Sequence, residues 1–264
     1  MKIIAVANQK GGCGKTTTAV NLSAALAVNG ARVLLVDLDP QGHATLGIGH
    51  DPNKLERTIG DAMVDRHVSI NDVTLETSQS GLSLAPSNIL LGTVELDLRD
   101  RTGKELVLGE KLNMVSSQYD YCVIDCAPPL SLLMLNALVA SSSVVITVQT
   151  HYYAIEGLKR LLETIHIVRK RFHPCDVKAL GLLLTFVEDR TLLCRQVQQQ
   201  LREFFGHLVF DAVIHRNVRL AEAPSAGQSI FTYAPENKAA KEYMAFSQEA
   251  TKRLAQWELQ DVQK

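Results

Sequence analysis

Residues 9–17 read Gln9-Lys10-Gly11-Gly12-Cys13-Gly14-Lys15-Thr16-Thr17, and this stretch decides the fold. Just before it, Lys2-Ile3-Ile4-Ala5-Val6-Ala7 is a short apolar run of the kind that forms a buried strand. Just after it, Thr18 to Asn29 carries Leu22, Ala25 and Leu26 at helical spacing and meets a glycine stop at Gly30. Strand, glycine loop, helix is the setting a phosphate-binding loop needs. Backbone N–H groups of Gly11, Gly12, Cys13 and Gly14 can approach phosphate oxygens with few side chains in the way. The helix N-terminus adds partial positive charge at the same spot. Lys15 supplies a full charge for the β- and γ-phosphates, Thr16 has a hydroxyl of the right length to ligate Mg²⁺, and Thr17 completes the cofactor-contacting run. The common pattern for such a loop is G-x-x-x-x-G-K-[ST]. Here Gln9 takes the first position and a second lysine, Lys10, precedes the glycines.

A second apolar run, Ala31 to Asp37, ends in Asp37-Leu38-Asp39-Pro40-Gln41-Gly42. In extended chain two residues apart share a face, so Asp37 and Asp39 form a pair. A third, Tyr119 to Asp125, ends in Asp125-Cys126-Ala127-Pro128-Pro129. In parallel sheets ligands gather at the carboxyl ends of strands, where a carboxylate can hold Mg²⁺ directly or through its water. Asp125 sits where the acidic residue of such a site belongs. Further strands are expected over 82–87, 143–149, 179–187 and 208–214. Helices are expected over 55–64, 105–118, 130–140, 155–172, 192–205 and 238–257. The helix over 192–205 has Leu193, Val197, Leu201 and Phe204 as its expected apolar face. Strands alternating with helices predict an α/β, doubly wound, mostly parallel sheet with helices on both faces. One domain over residues 1–264 accounts for the chain.

The K-G-G-x-G-K-T loop, the V-D-x-D-P-Q-G segment at Asp37 and the Asp125-Cys126-Ala127-Pro128-Pro129 segment resemble those of the ParA/MinD/Soj group of P-loop ATPases with a deviant Walker A loop. That resemblance implies the following. Lys10 reaches the nucleotide of a partner subunit, in a homodimer that closes on ATP. Asp39 orients the attacking water, and Asp37 lies near the metal. Val213 to Ser225 is similar to the family's I-P-R-N-V-R-L-S-E-A-P-S stretch, with His215 in place of proline, and assigns Ile214, Arg216 and Asn217 to the adenine pocket. Asp189-Arg190-Thr191 and Arg219 match segments that present DNA-binding arginines. The implied activity is slow ATP hydrolysis with Mg²⁺, stimulated by a ParB-type partner. The implied role is partition of plasmid or chromosome through sequence-independent binding of double-stranded DNA. Positioning of another cargo, a MinD-like membrane regulator and a reductase of the nitrogenase iron-protein kind are alternatives within the same group.

Composition narrows these. The chain has 264 residues, 46% hydrophobic and 21% charged, with a net charge of -1. Residues 1–150 hold 11 Lys+Arg against 15 Asp+Glu, and residues 151–264 hold 16 against 13, so the basic excess lies in the C-terminal part. Aromatics are few and not interleaved with basic residues, which suits phosphate contacts better than base stacking. The five cysteines form no C-x-x-C hook, as expected of a reduced protein. No secretory leader is legible at Met1-Lys2-Ile3 and no apolar run reaches the ~20 residues of a membrane span. The expected location is cytoplasmic and nucleoid-associated. Glu249 and Glu258 offset Lys252 and Arg253 in the last helix, which therefore reads as packing on the sheet rather than on a membrane.

Overall fold

In β1 (Lys2–Ala7) alternate side chains go to opposite faces, Ile3, Ala5 and Ala7 to one and Ile4 and Val6 to the other, and both sets are buried. A strand buried on both faces belongs in the middle of a helix-covered parallel sheet. The computed structural model describes residues 1–128, 130–150, 154–172 and 175–262; Pro129 of the Asp125 segment lies outside them. The other strands are β2 (Val33–Leu38), β3 (Leu75–Glu76), β4 (Leu82–Ala85), β5 (Tyr121–Cys126), β6 (Ser143–Gln149), β7 (Lys178–Val187) and β8 (Val209–His215). Their order in the sheet is β3-β4-β2-β5-β1-β6-β7-β8, with β3–β4 the antiparallel pair and the other pairs parallel. The chain lays down β2 to β5 on one side of β1 and then crosses to β6 on the other. The reversal opens a crevice beyond the carboxyl end of β1, where the glycine loop begins.

Helix α1 (Lys15–Val28) and the C-terminal helix Lys238–Val262 cover one face, burying Leu22, Leu26, Tyr243, Phe246 and Leu254. The helices Val107–Met114, Leu132–Ala140 and Leu192–Phe205 contribute to the core on the other. The C-terminal helix packs on β8 and α1, as its mixed charge predicts.

Two expectations are corrected. The helix expected over 55–64 starts at Ile59, because Thr58 and Asp61 form a capping box in which Asp61 accepts the Thr58 N–H at 2.7 Å. In the helix Leu192–Phe205 the buried face is Cys194, Val197 and Leu201, while Leu193 and Phe204 are 51% and 56% exposed. The Cys194 Sγ accepts the Glu188 N–H and lies 3.2 Å from the Thr150 hydroxyl, so the helix turns the thiol inward rather than Leu193.

Residues 43–115, the least regular part of the sequence, bury Ile59, Met63, Ile70, Leu91 and Leu112 in the core and add polar anchors. The clearest is Lys111, 6% exposed, whose ammonium donates to the carbonyls of Asp65, Arg66 and Val68 at 2.8, 3.2 and 2.5 Å. Lys111→Met keeps the apolar stem but strips three carbonyls of their partner. Urea unfolding of this variant should show a loss of ~1–3 kcal/mol, with nucleotide binding retained because the anchor is remote from the glycine loop.

Candidate functional site

The loop after β1 needs glycine where its backbone turns left-handed, at Gly12 (φ 72°) and Gly14 (φ 81°). Gly14 is also the N-cap of α1. The loop is tied to its neighbours. Asn8 accepts the Lys10 N–H at 3.0 Å and donates to the Thr147 carbonyl, and the Thr185 hydroxyl donates to the Cys13 carbonyl at 2.9 Å. The two lysines have opposite surroundings. Lys15 is 6% exposed and its ammonium donates to the Lys10 carbonyl at 3.1 Å. Lys10 is exposed, and among the described residues none accepts a hydrogen bond from its ammonium.

Parallel register sets Asp37 of β2 directly against Asp125 of β5, beside Val6 of β1. Both are buried on the α1 face. They are satisfied very differently. The Asp37 carboxylate accepts the Thr45 N–H (2.8 Å), the Thr45 hydroxyl (2.7 Å) and the Asp39 N–H (3.2 Å). Burial pushes the Asp37 carboxyl up to about 6, with those hydrogen bonds pulling back. Among the described residues neither Asp125 oxygen has a hydrogen-bond partner. Burial, then the adjacent Asp37 charge, pushes Asp125 well above the ordinary carboxylate range, and Thr16 and Lys15 offset part of this. A buried carboxylate with both oxygens open, next to the Thr16 hydroxyl, is an oxygen donor set that fits Mg²⁺. Asp37 is already committed to Thr45 and Asp39.

Asp39 is 8% exposed. Its Oδ1 accepts the Gln41 N–H at 2.9 Å and its carbonyl accepts the Ser87 hydroxyl at 2.8 Å, while Oδ2 has no hydrogen-bond partner among the described residues. It lines a cavity of about 690 Å³ together with Gly11, Gly12, Lys15, Thr16 and Pro128. A second cavity of about 460 Å³ shares Gly14 and Thr17 with it and continues to Ile214, His215, Arg216 and Asn217. The loop, Asp39 and the residues expected around adenine are thus brought to one cleft. Within it the Asn217 side chain is committed to capping, accepting from Arg219 N–H and donating to Asn237. Arg216 pairs with Glu188 at 2.9 Å. His215 bridges Glu242 (2.6 Å) and Asp189 (2.8 Å), and its backbone N–H donates to Glu242, a bond that a proline could not make. The expected DNA-contacting residues follow the ends of neighbouring strands β7 and β8. Arg190 is exposed and Arg219 is paired with Glu222 at 3.0 Å.

Sequence reasoning missed Thr45 and Ser87. Ser87 follows the carboxyl end of β4, a position that could have flagged it; nothing local marks Thr45.

A glycine loop between a central strand and a buried helix N-terminus, with a lysine and two strand-end aspartates beneath it, defines a P-loop nucleoside triphosphatase site. A family model described as an AAA domain matches residues 1–176. The sporulation initiation inhibitor protein Soj of Bacillus subtilis is 46% identical over 248 residues, covering 94% of this chain and 97% of that protein. The chromosome partitioning protein ParA of Myxococcus xanthus is 41% identical, covering 96% and 88%. The crystal structure of cobyrinic acid a,c-diamide synthase from Mycobacterium smegmatis with bound ATP analog and magnesium is 35% identical, with a TM-score of 0.83 over 94% of this chain and 93% of that one. The cell division ATPase MinD of Pyrococcus furiosus, at 23% identity and a TM-score of 0.78, shares the fold. The chain belongs to this family and, within it, to the ParA/Soj group of P-loop ATPases with a deviant Walker A loop.

The two raised carboxyls give a test of the metal-site reading. Each binds its proton more tightly folded than unfolded, so the stability it contributes is complete below about pH 4 and is lost as pH rises through the folded value. In metal-free protein, Asp125→Asn should melt above wild type by at least ~3 °C at pH 8, and the gap should shrink toward pH 4. The same variant should lose Mg²⁺-dependent nucleotide binding. Differential scanning calorimetry in EDTA and titration with Mg²⁺·ATP measure the two effects.

Proposed function

We propose that this chain is a partition ATPase. It binds ATP with Mg²⁺, closes into a sandwich dimer, holds double-stranded DNA without sequence preference, and lets go after hydrolysis stimulated by a ParB-type partner. The observation that carries the dimer is the contrast between the loop lysines. Lys15 is buried against its own loop, whereas Lys10 presents an exposed charge to whatever closes over the site. The name of the ParA relative, a chromosome partitioning protein, supports the partition role. No helix among the described residues is long and apolar enough to cross a membrane.

In this reading Lys15 and the loop N–H groups bind the phosphates, and Lys10 adds charge at the partner's nucleotide. Thr16 and Asp125 would hold Mg²⁺, which when bound neutralises charge on phosphate oxygens. Asp37 fixes Asp39 and Thr45 rather than touching ligand. Asp39, with Oδ2 open, orients the attacking water; phosphoryl transfer asks mainly for such positioning and for charge stabilisation. Ile214, Arg216 and Asn217 form walls at the adenine end.

Lys10→Ala should bind ATP as a monomer but fail to dimerise with it; an ATP-dependent dimer persisting on gel filtration would remove the trans-acting lysine. For DNA, log affinity should fall against log salt with a slope of about -0.9 per phosphate contact. Arg190→Glu or Arg219→Glu changes two positions per dimer, so each should flatten that slope by roughly two units and weaken unrelated duplexes alike. Fluorescence anisotropy over a salt series with two duplexes is the measurement. A strong preference for one duplex, or wild-type binding by both variants, would place the DNA surface elsewhere.

A further inference from the structure

Among the described residues Phe186 is the one non-glycine with a left-handed backbone, φ 52°. It lies near the carboxyl end of β7, where pairing with β8 slips. Leu184 pairs with Val213 and Val187 with His215, so three steps on β7 face two on β8. The extra residue makes a β-bulge, a device that re-aims a side chain. An aromatic residue in this conformation costs about 1–2 kcal/mol and persists only where its surroundings impose it. Here they do. The Thr185 hydroxyl is fastened to the Cys13 carbonyl on one side of Phe186, and the Val187 carbonyl accepts the Arg216 N–H at 3.2 Å on the other.

The bulge brings the ring against the glycine loop: a Cβ placed on Gly14 would lie 3.3 Å from Phe186 Cε2. The ring is 38% exposed and is a common wall of the cavity that holds the adenine-end residues and the cavity beneath the phosphate loop. It also borders a third cavity, of about 410 Å³, beside Gln149 and Thr150. The other aromatic at the adenine end, Tyr243, is buried with its hydroxyl 3.2 Å from that of Thr18. Ile214, Leu220 and Pro224 are aliphatic. Among the described phenylalanines and tyrosines lining these cavities, Phe186 is the one whose ring is not buried, and it stands where the two cavities meet. An apolar ring has nothing to give a phosphate; its match is the nucleoside.

We propose that Phe186 is a nucleotide-positioning residue, held in a strained bulge so that its ring packs on the nucleoside part of bound ATP. This rests on the ATP-binding reading above. The test compares Phe186→Gly, Phe186→Leu and Phe186→Tyr with wild type. Calorimetric titration uses ATP and, separately, inorganic tripolyphosphate, both with Mg²⁺, and thermal melting uses ligand-free protein. Glycine adopts the left-handed backbone freely, so Phe186→Gly should melt at or above wild type while binding ATP about tenfold more weakly, the loss expected for one aromatic contact. Phe186→Leu, which keeps apolar bulk without the aromatic face, should also weaken ATP binding. Tripolyphosphate affinity should be unchanged in both, and Phe186→Tyr should restore ATP binding. Three results would overturn the proposal: unchanged ATP affinity in Phe186→Gly, equal loss for ATP and tripolyphosphate, or a Phe186→Gly protein melting well below wild type, which would make the ring a prop for β7. Failure of wild type to bind ATP would instead sink the nucleotide reading, before any substitution is made.

Discussion

Two carboxylates that cannot both be comfortable are set side by side at the heart of this molecule. Parallel register on β2 and β5 puts Asp37 against Asp125, both fully withdrawn from water. Buried like charges demand compensation, either by protons, by hydrogen bonds or by a cation. The chain answers differently on the two strands. Around Asp37 it builds a closed network: Thr45 donates twice, Asp39 once, and Ser87 donates to both the Thr45 hydroxyl and the Asp39 carbonyl. Asp125 is left with nothing but proximity to Lys15 and Thr16. One carboxylate is left open toward the cleft, and the other is tied into the turn after β2.

From this asymmetry the rest of the cleft follows. The Asp37 network fixes the turn after β2, so Asp39 reaches the cavity with one oxygen engaged and one open. The glycine loop is fixed from the opposite side by Asn8, Thr147 and Thr185. The glycine loop is thus tied to β6 and β7 on one side of β1 and faces the Asp37 network across the crevice at the strand-order reversal. A loop so held can present two lysines with different destinies, one buried and one free.

The adenine end obeys another constraint. The ends of β7 and β8 must stay together although their registers slip, and polar ties do this: His215 to Asp189, Arg216 to Glu188, and the Arg216 N–H to Val187. His215 also draws in Glu242 of the C-terminal helix. The His215 contact holds Asp189 below its usual carboxylate range. His215, Arg216 and the turn carrying Arg190 are therefore parts of one polar assembly.

The sequence by itself determined the elements whose signals are local. An apolar run, a glycine loop and a helical period are written within residues 2–29, and each strand-ending aspartate announces itself by its neighbours. The doubly wound class follows from the alternation, and the loop chemistry from Gly12, Gly14, Lys15 and Thr16. Tertiary structure alone decided what depends on partners far along the chain. Asp37 and Asp125 look alike as strand-ending acids, and it is the donors from Thr45 and Asp39 that satisfy the first and leave the second open. Residues 43–115 combine core packing with anchors such as Lys111, whose partners lie more than forty residues away. Hydrophobic spacing picks out Val197 and Leu201 of the helix Leu192–Phe205, but that Cys194 rather than Leu193 completes the inward face depends on what the thiol meets at Glu188 and Thr150. Phe186 reads as one more apolar residue of a strand; its left-handed backbone exists because β8 and the glycine loop pull on β7 from both sides. Periodicity records how a segment buries its own surface, but a bulge, a network or an unmet carboxylate is a relation between segments, and it comes into being only when they pack.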